Sequence, residues 1–398
     1  MKIKWILFSN IYYVTLQWLV LSLLSKVYMP DDVGEYFFAL ALATPVMTFF
    51  ALKLTGFVIA SKDEVYSKDE YRFIRLFYSV LSGIFILTLS TTLVSEDVSF
   101  YVMLFVICFK ITEQYDDVEA SFKSKELKFK QFSLVKIRRG TAYLCTVGLS
   151  SYLNDDFHNA LFLATILYSI YWIIFNFNSL RRVTKVSKCD LIFIFKKMYP
   201  MGMSGAIQSL GTSGCRLYIG VLLGKTLLAV FGSISYSITA INIVTNALGG
   251  YFLPFFSKYK NYKSKFYKEI FKSQMIILFL TFILLVMVYF LGERLLLIAF
   301  NQEVAKYNNG LLVLSLSAAI KASTNLLGSA IVSTEKYSYQ VFLTSINLVS
   351  LVVLIYLLTP YGIYGMFYAT LISSFIEWIL MVFISFRYFN AFFKEVVV

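Results

Sequence analysis

Any chemistry in this chain has to come from a few polar residues set inside long apolar stretches. Ser204, Gln208, Thr212 and Arg216 recur every four residues, so on a helix they share one face. Gly202, Gly205, Gly211, Gly214 and Gly220 crowd the same stretch and permit close packing or bending. Ser317, Lys321, Thr324, Asn325 and Gly328 make a second polar face at helical spacing. Lys110, Glu113, Gln114 and Asp117 make a third, in which Lys110 can reach Glu113 or Gln114 along the helix. Thr370, Ser373, Ser374 and Glu377 make a fourth, and Asn242, Thr245, Asn246 and Gly249 add an uncharged stripe. Lys53 comes late in its apolar stretch, where its long stem can snorkel to the interface.

A charge at the centre of a membrane span costs about 2.5–3.5 kcal/mol on insertion scales, so such residues face a bundle interior or a wet cavity. Arg216, Lys321, Lys110 and Lys53 give these faces a cationic bias. That bias suits an anionic ligand: Arg offers bidentate bonds to phosphate and Lys a point charge. Gln208, Asn325 and Asn242 would supply neutral hydrogen bonds. Glu113, Asp117 and Glu377 admit two roles, ion pairing with these cations or coupling to a proton or Na⁺. The competing reading of Arg216 is a packed helix whose guanidinium reaches the outer interface. For Lys321 it is a structural pair with Glu377 or Glu113.

Other chemistries find little support. His158 is the one histidine and stands beside Asp155 and Asp156, which reads as a solvated loop residue. Of four cysteines, Cys108, Cys145 and Cys215 lie in apolar stretches and Cys189 in a basic one, with no CxxC or Cys/His cluster. Neither a metal site nor a disulfide is expected, nor a cofactor. No Walker motif is present, so direct ATP-driven work is not indicated.

The elements that must position these faces follow from composition. The chain has 398 residues, 59% hydrophobic and 15% charged, with mean hydropathy +0.72; a soluble domain averages about 25% charged. This excludes a soluble enzyme, a disordered chain and a disulfide scaffold, and points to a polytopic membrane protein. Runs such as Ile276 to Leu291 are continuously apolar rather than alternating, which favours helices over a β-barrel. Spans are predicted near 5–28, 34–60, 72–94, 98–118, 132–153, 158–177, 197–222, 227–256, 270–291, 307–333, 339–358 and 361–386. Pro45 and Pro254 are candidate kinks. Lys2 and Lys4 precede an apolar run longer than a signal-peptide core, which reads as a first transmembrane helix.

Net charge is +13, and the positions of the 36 Lys and Arg residues explain it. With twelve spans, and with the residues at span ends counted with the adjoining connections, 28 fall on the termini and even-numbered connections, four on odd-numbered ones and four deeper within spans. The positive-inside rule then puts both termini in the cytoplasm, with no need of a nucleic-acid partner. Two six-helix lobes are expected, 1–177 and 197–398, around a central cavity and joined by a basic cytoplasmic linker, 178–196.

Three segments carry a family resemblance. Leu24-Ser25-Lys26-Val27-Tyr28-Met29-Pro30-Asp31-Asp32-Val33-Gly34-Glu35-Tyr36 is similar to an "LGPEEFGxY" region, Tyr199-Pro200-Met201-Gly202-Met203-Ser204 to "P-x-G-x-S", and Gly362-Ile363-Tyr364-Gly365-Met366 to "GIxGAA". In order and spacing these resemble the Wzx-type O-antigen and polysaccharide flippases of the multidrug/oligosaccharidyl-lipid/polysaccharide exporter superfamily. Many relatives carry Asp-Arg near the end of the seventh helix; here it is Cys215-Arg216, so the Arg carries over and the acid does not.

The resemblance implies a multi-pass protein of the bacterial inner membrane. It would move an undecaprenyl-diphosphate-linked oligosaccharide from the cytoplasmic to the outer leaflet by alternating access. Membrane lipids, and polysaccharide polymerase and chain-length machinery, are the partners it implies. Two alternatives stay open. A cation-coupled drug or metabolite exporter of the same superfamily would lean on Glu113, Asp117 or Glu377. A membrane oligosaccharide polymerase or ligase would need a sizeable outer loop, which the sequence does not display.

Overall fold

In the computed structural model, residues 3–60, 66–93, 99–238, 245, 248, 251–253, 255–334 and 338–396 are described. Every predicted span coincides with a helix or, for 34–60 and 227–256, with helical pieces. The helices are α1 (Ile3–Val27), α2 (Pro30–Ala51), α3 (Leu54–Ala60), α4 (Lys68–Leu93), α5 (Phe100–Lys125), α6 (Phe129–Leu153), α7 (Phe157–Leu180), α8 (Lys188–Leu222) and α9 (Lys225–Ser237). Residues 251–253 and 255–259 are also helical. Then come α10 (Lys263–Ala299), the short α11 (Gln302–Ala305), α12 (Asn308–Val332), α13 (Ser338–Leu358), a 3₁₀ turn (Thr359–Tyr361) and α14 (Gly362–Val396). No strand occurs among the described residues.

Local chemistry sets the boundaries. Pro30 starts α2 at a position where its missing N–H costs nothing, and Asp31 and Asp32 follow in the first turn. Asp156 caps α7 by accepting from the Asn159 N–H at 2.8 Å, and Ser187 caps α8 by accepting from the Asp190 N–H at 3.2 Å. α8, α10 and α14 have 35, 37 and 35 residues. At 1.5 Å per residue each exceeds 50 Å, well beyond a hydrocarbon core of about 30 Å, so each extends past the membrane.

The chain divides into two compact units, Met1–Ala229 and Val230–Val398. In the first, α1 packs on α6, α2 on α8, α4 and α5, and α7 on α5 and α6. α8, which heads the second half in the sequence reading, lies along α2. Glycine makes that approach close: a Cβ on Gly202 would stand 2.5 Å from the Phe49 carbonyl oxygen, and one on Gly205 2.9 Å from the Thr48 methyl. Gly34 of the first hairpin motif faces the Lys225 carbonyl at the start of α9, 2.0 Å from where a Cβ would be. In the second unit α12 packs on α10 and α14, and α13 on α14. An aromatic cluster that includes Phe252, Phe256, Phe266, Phe389 and Phe393 joins α10 to the end of α14.

Two expectations change. The second predicted span is not one helix: it breaks at Leu52 and Lys53, both left-handed with φ of 52° and 47°. Pro45 lies inside the unbroken part. The break is built by capping groups. Buried Arg75 of α4 donates to the Ala51 carbonyl at 3.0 Å, and Gln114 of α5 donates to the Met47 carbonyl at 2.9 Å. These take up carbonyls that a helix end would otherwise leave unsatisfied in hydrocarbon. His158 is not a free loop residue either. It lies in the first turn of α7, and its Nε2 is 3.3 Å from the buried Glu35 carboxylate, which also accepts from the Ser99 N–H at 2.6 Å.

Candidate functional site

The most concentrated charge in the first unit surrounds α5. Lys110 Nζ donates to Glu113 Oε2 at 2.7 Å, the pair their spacing predicts. The other Glu113 oxygen accepts from Tyr13 Oη of α1 at 2.5 Å and lies 3.5 Å from an Arg139 nitrogen of α6. Arg139 also donates to Asp117 at 2.9 Å and to the Glu113 carbonyl at 3.0 Å, with its guanidinium over the Tyr13 ring. Asp116 accepts from Trp172 Nε1 at 3.0 Å and lies 3.9 Å from Arg138. Glu119 is held by Arg72. Each carboxylate on the second half of α5 thus has a basic partner, so Glu113 and Asp117 are ion-paired here.

Arg139 and Arg75 correct the charge count. The count groups both with the cytoplasmic connections at whose edges they fall, yet they are 2% and 3% exposed. Arg139 lies ten residues into α6, about 15 Å along it. A buried guanidinium is tolerated only with near-complete pairing, and Asp117 and Glu113 supply that. The signal in the sequence was the match of Arg138-Arg139 to the acids of α5, which a loop count ignores. In the turn after α5, Lys128 and Lys68 hold the Glu126 carboxyl down to about 2, so this turn keeps its charge pairs well into acid.

α8 carries the second feature. Ser204 and Arg216 are half-buried, while Gln208 and Thr212 are exposed. Lys53, presented by the break in α2, donates to Ser204 Oγ at 3.3 Å. This brings Lys53 to the face of Ser204 and Gln208, rather than to a simple snorkelling position. Exposed amides and hydroxyls within a spanning helix cannot face hydrocarbon cheaply, so this face requires water or a polar ligand.

The second unit repeats the pattern with a difference. Ser317 of α12 and Ser374 of α14 hydrogen-bond at 2.8 Å, and Trp378 Nε1 donates to Ser323 Oγ at 2.9 Å. Glu377 accepts from the amide of Asn347 at 2.7 Å. Lys321 is half-buried and forms no ion pair within 4.0 Å with any described residue. Asn325, one turn further along α12, is exposed. Lys110 therefore closes on Glu113, while Lys321 is left for something else. Asn242 lies outside the described residues.

A chain of this kind, two helical units with polar faces inside spanning helices, has the architecture of a membrane transporter, and the comparisons agree. No protein-family model matches the chain. Among solved structures it resembles the lipid II flippase MurJ in an inward closed conformation, with TM-score 0.75, 13% identity, and 98% of this chain and 90% of that one covered. It also resembles an outward-facing multidrug resistance MATE family transporter of the MOP superfamily, with TM-score 0.67, 12% identity, and 99% and 96% covered. By sequence it is 28% identical over 395 residues to the capsular polysaccharide biosynthesis protein CapF of Staphylococcus aureus, covering 96% of each. The chain is an all-α, multi-pass membrane protein with the MOP-superfamily transporter fold. The resemblance read from its motifs agrees with this fold and with the naming of a curated relative for capsular polysaccharide biosynthesis.

Proposed function

We propose that this protein is a flippase for a polyprenyl-diphosphate-linked oligosaccharide. It would carry an undecaprenyl-linked capsular or O-antigen-type repeat unit from the cytoplasmic to the outer leaflet of the bacterial inner membrane, with both termini in the cytoplasm. The observation that carries the reading is a half-buried cation beside exposed polar groups on each of two helices: Arg216 with Gln208 and Thr212 on α8, and Lys321, which has no ion pair among the described residues, with Asn325 on α12. A diphosphate suits each of these cations, since Arg binds its oxygens bidentately and Lys as a point charge. Gln208 and Asn325 supply neutral donors and acceptors for sugar hydroxyls, and Lys53 adds charge beside Ser204. The polar head crosses along these faces while the polyprenyl tail stays in the bilayer.

The halves 1–177 and 197–398, joined by the basic segment 178–196, would move against one another in alternating access. Direct pairing of the α5 acids favours this reading over a cation-coupled drug exporter, because Glu113 and Asp117 already hold Lys110 and Arg139. Glu377 is the acid left for coupling to a proton or Na⁺.

The test is complementation of a flippase-deficient strain with a defined lipid-linked repeat. Wild-type chain should clear the repeat from the cytoplasmic leaflet and restore surface polysaccharide. The Arg216→Ala/Lys321→Ala double variant, at normal abundance, should lose at least 90% of that activity, roughly what one lost charge-assisted bond costs. Full transport by a stable double variant would overturn the reading.

A further inference from the structure

We propose that the first unit holds one anionic phospholipid in a groove between α4 and the end of α7. The groove is an apolar hollow of about 510 Å³, lined on α4 by Phe73, Phe77, Val80 and Ile84, and closed at one end by Leu180 and Val183. Phe77, Val80 and Ile84 are among the exposed side chains of a spanning helix, so the hollow opens toward lipid.

Its length matches one leaflet. From Phe73 to Ile84 α4 advances about 16 Å, and half of a hydrocarbon core is about 15 Å. Its mouth is cationic. Leu180 ends α7, and Arg181 and Arg182 follow directly, both exposed. The Thr184 N–H donates to the Asp69 carbonyl at 3.4 Å, which ties this basic segment to the first turn of α4, one turn before the groove residue Phe73. The acids near that mouth are already engaged: Asp69 holds Arg72, and Glu70 accepts from the Ser67 N–H at 2.7 Å. A groove one leaflet deep with an arginine pair at the headgroup level fits a phosphodiester lipid, its acyl chain along α4 and its phosphate on Arg181 and Arg182. Under the proposed topology this is the cytoplasmic leaflet. The site uses none of the side chains assigned to substrate binding or ion coupling, so either reading can fail alone.

The experiment is native mass spectrometry of the purified full chain released from phosphatidylcholine bilayers containing a minority of phosphatidylglycerol. Wild type should retain one phosphatidylglycerol in preference to phosphatidylcholine. Arg181→Gln/Arg182→Gln should reduce that preference about tenfold or more. Val80→Trp, which fills the groove, should lose the retained lipid of either type. Lys185→Gln/Lys188→Gln removes equal charge from exposed positions outside the groove and should leave retention unchanged. Equal loss in this control, or unchanged preference in the arginine variant, would overturn the proposal. Displacement of phosphatidylglycerol by an equimolar polyprenyl diphosphate would also overturn it, by making the groove a substrate-tail site.

Discussion

Two lysines on spanning helices have opposite fates. Lys110 closes on Glu113, with Arg139, Asp117 and Tyr13 completing the set. Lys321 has no such partner among the described residues. The two acids should therefore respond differently to neutralisation. Glu113→Gln leaves buried cations under-compensated and should cost about 3–5 kcal/mol of stability. Glu377→Gln keeps an acceptor for the Asn347 amide and should cost under about 1.5 kcal/mol. Thermal unfolding in detergent compares the two; equal destabilisation would contradict the paired assignment of Glu113. The Lys110–Glu113 pair was legible because both residues sit on one helix, three apart. Arg139 was not, because its partners come from α5 and α1, and separation along the chain hides such contacts from any reading of local spacing.

At the level of elements, the approach of α8 to α2 depends on particular glycines. Gly202→Ala drives a Cβ toward a backbone oxygen that cannot step aside. It should destabilise the protein by about 1–3 kcal/mol, seen as reduced abundance and a lower melting temperature. Gly214 has nothing within 4 Å of an added Cβ, so Gly214→Ala should be neutral or gain about 0.5–1 kcal/mol from helix propensity. A drop as large as that of Gly202→Ala would show that α8 packs along a different face. Helix positions were readable from hydropathy alone, since each stretch of about twenty apolar residues has one solution in lipid. The interruption at Leu52 and Lys53 was not. Its cause is a pair of side chains from α4 and α5, and neither residue carries the glycine or proline signature of a break.

For the whole molecule, the distribution of basic residues predicts orientation. Cys189 is exposed at the start of α8, in the basic connection. In a chain retaining only this cysteine, an impermeant maleimide should label inverted vesicles and not intact cells. Asp155→Cys, in the acidic turn between α6 and α7, should label from the opposite side. Labelling of both from one side would overturn the twelve-span topology. Burial of Arg75 and Arg139 removes two charges from the topological tally, and the remaining bias still predicts both termini in the cytoplasm.

The joint in α2 has a mechanical consequence. A continuous helix transmits bending from one end to the other as a rod does. A rod with a joint passes on rotation about that joint and little bending moment. Arg75 and Gln114 clamp the upstream side of the joint, and α3 beyond it rests on α5. Displacement of the part of α2 before Ala51, carried along with α8, would therefore be taken up at Leu52 and Lys53. α3 would keep its seat on α5, with Lys53 at the pivot.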